Sequence, residues 1–194
     1  MSKTEGGARQ GRARALANRL AGKPLVLVGM MGAGKTTVGR RIASRLERQF
    51  IDSDEEIERA AQMTIPEIFA QRGEPEFRAG ETRVIARVLK DEGIVLATGG
   101  GAFVNAETRA LVKAEALSIW LKAEVDILFE RVSRRSNRPL LKTANPRATL
   151  EKLIEDRYPI YAEADVTVIS RDVPQDVVAG DVIDAVLGYL KRQD

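Results

Sequence analysis

The chain is 194 residues long, 44% hydrophobic and 30% charged, a balance that excludes a disordered chain and suits one packed domain. It has no cysteine and no histidine, which excludes disulfides, thiolate chemistry, Cys- or His-ligated zinc and any imidazole base. Of its 31 basic and 28 acidic residues, six and one lie before Pro24, which leaves 25 against 27, so the net charge of +3 belongs to the N-terminus and not to a nucleic-acid surface on the body.

Residues 1–23 are rich in Gly, Arg and Ala and read as a basic, flexible tail, with an organellar transit peptide as the alternative. No apolar run approaches the ~20 residues of a membrane helix and no secretory signal is visible, so the expectation is a cytoplasmic protein without a membrane or nucleic-acid partner. Residues 24–194 read as a single domain.

Pro24 to Val28 is a short β-branched run, as in a strand buried on both faces. A Gly-rich turn comes next, then a helix over Lys35–Arg48 with Val38, Ile42 and Leu46 on one face. Gln49–Asp52 reads as a second strand and Asp54–Ala61 as a helix. Pro66 and Gly73 punctuate the next stretch, and Glu76–Asp91 reads as a long helix. Ile94–Thr98, Leu117–Leu121 and Val166–Ile169 read as further strands. Helices are expected over 107–113, 124–134, 146–157 and 175–191. Strands alternating with helices imply βαβ crossovers: a three-layer αβα fold around a five-stranded parallel sheet. Ligands of such sheets bind at the carboxyl ends of the strands, where the unusual glycines and carboxylates of this sequence all fall.

Gly29-Met30-Met31-Gly32-Ala33-Gly34-Lys35-Thr36 matches G-x-x-x-x-G-K-[ST] between a strand and a helix. Glycines let backbone amides turn inward around phosphate oxygens, and the adjoining helix points its positive end at the same anion. Lys35 adds a mobile charge toward the β- and γ-phosphates, and the Thr36 hydroxyl can ligate Mg²⁺. Gly32, Ala33, Gly34, Lys35, Thr36 and Thr37 form the expected nucleotide-binding set, Thr37 reading more simply as a plain helical residue. Asp52 and Asp54 are two apart, so both would face the phosphate loop if the strand persists that far. One division gives Asp52 the water shell of Mg²⁺ and Asp54 the acceptor hydroxyl; the alternative for Asp54 is a helix N-cap.

Those motifs, together with Gly73-Glu74-x-Glu76-Phe77-Arg78, Gly99-Gly100-Gly101, Arg138-Pro139-Leu140-Leu141 and Arg157-x-Pro159-x-Tyr161, resemble the shikimate kinase family in order and spacing, over about Leu25 to Leu190. The resemblance implies a nucleoside monophosphate kinase-like P-loop fold with a substrate-binding helical segment (about 54–92) and a lid (about 133–146). It implies transfer of the ATP γ-phosphoryl group to the 3-hydroxyl of shikimate, with Mg²⁺, in aromatic amino-acid biosynthesis, by a monomer. Arg78 and Arg157 align with arginines that hold the shikimate carboxylate, and a guanidinium fork suits that group. Read without the resemblance, both are ordinary solvated or ion-paired helical arginines. Gly100 and Gly101 align with substrate contacts, the plain alternative being a tight turn. Arg138 aligns with the lid arginine that steadies charge in the transition state, and Arg131 with a position that packs on adenine, whose other side Asp172–Pro174 would wall. Lys35, Asp54 and Arg138 are the expected catalytic residues. Trp120 reads as core.

The nearest rival is another P-loop small-molecule kinase, for gluconate or a nucleoside monophosphate. An acceptor-side carboxylate at Asp54 would repel an acceptor that brings its own phosphate, but suits a hydroxyl. A P-loop ATPase switch acting on a macromolecular partner, or an inactive binding module, is a further alternative. The near-neutral body argues against the first, and the intact Lys35, Thr36 and Asp54 against the second.

Overall fold

The computed structural model describes residues 3–134 and 143–193. The elements run α1 (Lys3–Leu20), β1 (Leu25–Val28), α2 (Lys35–Leu46), β2 (Gln49–Asp52), α3 (Ser53–Ala61), α4 (Ile65–Val88), β3 (Ile94–Ala97), a 3₁₀ turn (Ala102–Val104), α5 (Ala106–Glu115), β4 (Leu117–Lys122), α6 (Val125–Ser133), α7 (Pro146–Tyr161), β5 (Val166–Ile169) and α8 (Gln175–Lys191). The five strands form one parallel sheet in the order β2-β3-β1-β4-β5. The central strands β1, β3 and β4 are buried almost throughout, whereas β5 alternates buried and exposed residues. That contrast explains why the inner strands are continuous apolar runs: helices cover both of their faces.

The chain leaves β1 for the far edge, returns to β3 at β1's side, and then proceeds to β4 and β5. The direction of winding therefore reverses between β1 and β3, and the loops after these two strands splay apart to make a crevice. Thr98 closes its floor by donating from both its amide and its hydroxyl to the Leu27 carbonyl, at 3.1 and 3.0 Å.

Two expectations need correction. The strand does not persist to Asp54: β2 ends at Asp52, whose side chain accepts the Asp54 amide at 3.1 Å and caps α3. The cap role therefore falls to Asp52, and Asp54 sits in the first helical turn. The long helix starts at Ile65, not Glu76. Thr64 and Glu67 form a reciprocal capping box there, and the helix breaks at Gly73 (φ 78°, ψ 169°) ahead of Pro75.

Helix α1 is a third correction. The basic N-terminus is not a flexible tail but an 18-residue helix that packs on α8 and α2. Ala13, Leu16 and Leu20 lie on one face and are almost fully buried, and Arg12 pairs with Asp184 of α8 at 3.1 Å. Leu16→Ala is expected to lower unfolding free energy by about 2–4 kcal/mol, read from the urea midpoint. An unchanged midpoint would show that α1 rests on the body without stabilising it.

Candidate active site

The crevice between the β1 and β3 loops is a cleft of about 400 Å³ that runs from Asp54 and Gly100 past Lys35 and Thr36 to Arg131 and Gln175. Its middle is the phosphate loop. Gly34, the N-cap of α2, adopts φ 92°, and no side chain caps the helix. The first-turn amides therefore open into the cleft, where the helix dipole favours an anion. Lys35 is buried and donates to the Gly29 and Met30 carbonyls at 2.8 and 2.9 Å, which holds its ammonium inside the loop's curve. The Thr36 hydroxyl donates to Asp52 Oδ2 at 2.8 Å. The loop's outer side is held by Ser170, which donates to the Ala33 carbonyl at 2.9 Å.

Thr36 and Asp52 suit a magnesium ion. A hydroxyl and one carboxylate meet beside the phosphate cradle, and Asp52's second oxygen is anchored by the Asp54 amide. Mg²⁺ takes oxygen ligands, keeps several waters and needs only one or two protein carboxylates when phosphates complete its shell. Consistent with that sparse set, no group of three or more acidic residues gathers among the described residues.

The acceptor end is built around the glycines after β3, and none of these three has a positive φ. Their smallness, not their flexibility, is what the site uses. A Cβ on Gly101 would stand 2.6 Å from both terminal nitrogens of Arg78. A Cβ on Gly99 would stand 2.8 Å from Asp54 Oδ1 and 3.0 Å from Glu81 Oε1. The Gly99 amide is already taken by Ser53 Oγ at 3.0 Å, and the Gly100 carbonyl accepts from Arg157 Nη1 at 3.3 Å and from the Tyr161 hydroxyl. The structure thus brings Asp54, Arg78, Gly100, Gly101 and Arg157 to one end of the crevice, Asp54 by way of α3 and not along a strand. Arg157 makes its contact with Gly100 rather than with the glutamates one turn back on its own helix.

Glu81 and Tyr161 carry no motif that marks them as site residues in the sequence. Arg78 donates from Nη1 to Glu81 Oε2 at 2.7 Å, and from Nη2 to the exposed Glu74 Oε1 at 3.2 Å. Glu81 is 1% exposed, and its Oε1 has no hydrogen-bond partner among the described residues. Burial pushes the Glu81 carboxyl above its ordinary value, against the pull of Arg78. The signal for Glu81 is an acid three residues beyond Arg78, on the same helical face. Tyr161 has its hydroxyl pushed up to about 12 by burial. With Tyr158 it packs on the buried Trp120, at centroid distances of 6.0 and 4.9 Å for Tyr161 and Tyr158 respectively.

At the other end, Arg131 donates to Ser170 Oγ at 3.1 Å and to the Arg171 carbonyl at 2.8 Å. These bonds fix its guanidinium at the rim. Gln175 lies opposite, another residue that no sequence motif marks. Thr37 also lines the cleft. Arg138, and with it most of the expected lid, lies outside the described residues.

The model of the shikimate kinase family matches residues 31–187. A shikimate kinase of Rhizobium leguminosarum bv. trifolii is 56% identical over 181 residues, which is 93% of this chain and 91% of the relative. One of Mesorhizobium japonicum is 55% identical over 171 residues, 88% of this chain and 84% of the relative. Among solved structures, the shikimate kinase of Acinetobacter baumannii in complex with shikimate superimposes with a TM-score of 0.84 at 39% identity, covering 89% of this chain and 97% of that one.

The role of Gly101 as space for Arg78 can be checked directly. Its backbone (φ −96°, ψ −14°) accepts alanine without strain. Gly101→Ala is therefore expected to fold normally, with the Arg78 guanidinium displaced in its crystal structure. An unmoved Arg78 would contradict the assignment.

Proposed function

The chain belongs to the shikimate kinase family, whose members phosphorylate the 3-hydroxyl of shikimate with ATP, and we propose a division of labour among its residues. The observation that carries it is the Arg78 guanidinium seated against Gly101 and backed by buried Glu81, in the same crevice as the phosphate loop and Asp54.

The triphosphate lies over Gly32, Ala33, Gly34, Lys35 and Thr36, with the α2 amides and Lys35 on its oxygens. Lys35 gives up its two loop carbonyls to follow the β/γ bridge. Arg131 stacks on the base, as a planar guanidinium held at the rim would. Thr36 holds Mg²⁺ directly and Asp52 through water; the bound ion neutralises charge on the β- and γ-oxygens.

Shikimate's carboxylate takes the place of Glu74 on Arg78. Glu74 is 63% exposed and bonds at 3.2 Å, so exchanging one carboxylate for another costs little. Glu81 remains in place and keeps the fork aimed. Arg157 completes the clamp from α7, and the Gly100 and Gly101 backbone lies against the ring. Held by its acid group, shikimate turns its 3-hydroxyl to Asp54, which accepts the hydroxyl's hydrogen bond and fixes it in line with the γ-phosphorus. Arg138 supplies further positive charge over the phosphates. Most of the acceleration is positioning and electrostatics, since phosphoryl transfer makes little demand for covalent chemistry.

A coupled ADP-release assay with shikimate, gluconate and AMP tests the assignment: turnover is expected with shikimate, and turnover with gluconate or AMP alone contradicts it. Arg78→Ala is expected to raise the shikimate KM roughly 10- to 100-fold, the value of a charge-assisted fork, while the ATP KM moves less than about threefold. An equal rise in both would remove Arg78 from the acceptor clamp. Asp54→Asn is expected to lower kcat by roughly 10²- to 10⁴-fold with little change in either KM.

A further inference from the structure

We propose that Gln175 reads the nucleotide base through its carboxamide oxygen, selecting a 6-amino purine over a 6-oxo purine; this deepens the ATP-site reading above and rests on it. Gln175 opens α8 directly after Pro174 (φ −52°). Its backbone is fixed by two local ties. The Val177 amide donates to the Pro174 carbonyl at 2.8 Å, and the neighbouring Asp176 is bound to Arg45 of α2 through its carboxylate at 2.6 Å and its carbonyl at 2.9 Å. The side chain therefore leaves from a stationary point and reaches back over the phosphate loop.

Its oxygen is buried and meets no hydrogen-bond donor among the described residues. It stands 2.6 Å from where a Cβ on Gly34 would be, so the glycine of the loop is what makes room for it. A buried acceptor without a donor is costly, and native structures rarely leave one without a reason. Here the reason is the ligand. The cleft has an acceptor end at Asp54, a phosphate cradle at Gly32–Thr36, and an opposite end framed by Arg131 and Gln175. A triphosphate with its γ-phosphorus toward Asp54 leaves its base at that opposite end.

The chemistry of the oxygen narrows what it can meet. Ionised phosphate oxygens are acceptors only and give it nothing. Ribose hydroxyls donate, but every ribonucleotide carries them. An exocyclic 6-amino group donates to it, whereas a 6-oxo group would set acceptor against acceptor. A site built around one buried hydrogen-bonding group rejects the analogue that leaves that group unpaired.

Titration calorimetry of the full-length protein with ADP and with inosine diphosphate tests this, since the two differ at the base by the 6-substituent. The wild type is expected to bind ADP at least about tenfold more tightly. Gln175→Ala should shrink that ratio below about threefold while leaving the shikimate KM unchanged. Gln175→Glu keeps an acceptor and should retain the preference, even where its charge weakens both nucleotides. A ratio that survives Gln175→Ala, or an equal weakening of both ligands in that variant, overturns the assignment alone, and the latter result would make Gln175 a support of the loop or a ribose contact. A wild-type protein that binds no ADP overturns the ATP-site reading itself, and this inference with it.

Discussion

A guanidinium can be seated in a protein crevice only beside a counter-charge, and the Arg78–Glu81 pair is the interaction on which the acceptor site depends. Glu81 is buried on α4, and its neighbour in the sequence, Thr82, bonds Thr108 of α5 at 2.8 Å inside the fold. The carboxylate is thus a fixed post and the arginine is hung on it. Such a pair is poor evidence of stability, because desolvating both ions offsets most of their attraction. Its use is orientation. Glu81 takes one arm of the fork, and the other faces an exposed glutamate that a substrate carboxylate can replace.

The same crevice is fastened from the opposite side by α7. That helix begins at Pro146 and ends at Tyr161, so it connects the segment that includes Arg138 to the floor of the acceptor site. Arg157 and Tyr161 both hold the Gly100 carbonyl, and Tyr158 and Tyr161 lean on Trp120 beneath the phosphate loop. Trp120 in turn lies under Gly29, where a Cβ would stand 3.2 Å from the indole. The acceptor end and the phosphate end therefore share one rigid aromatic base, and the distance between hydroxyl and γ-phosphorus is set by packing rather than by loops.

The architecture was legible because central strands covered on both faces must be apolar throughout, and the phosphate loop announces itself by spacing. The family motifs named Arg78 and Arg157, but their local reading as solvated helical charges was equally good until Gly101 and Gly100 were seen against them. Three features were hidden for physical reasons. The stripe Ala13-Leu16-Leu20 was diluted by Gly and Arg, so the segment averaged to a tail although one face of it is core. Asp52 and Asp54 obeyed strand alternation on paper, but the chain turns into a helix between them and carries Asp54 to the cleft by a different route. Glu81 and Gln175 act through burial, which emerges only when distant elements close around them.

The central claim is that the carboxylate clamp dictates which hydroxyl faces the phosphoryl group. The most direct measurement is a proton–phosphorus correlation spectrum of the product formed from shikimate and ATP. The account predicts one phosphorus signal coupled to the proton on carbon 3. Coupling to the proton on carbon 4 or carbon 5, or free phosphate as the sole new signal beyond ADP, would contradict it.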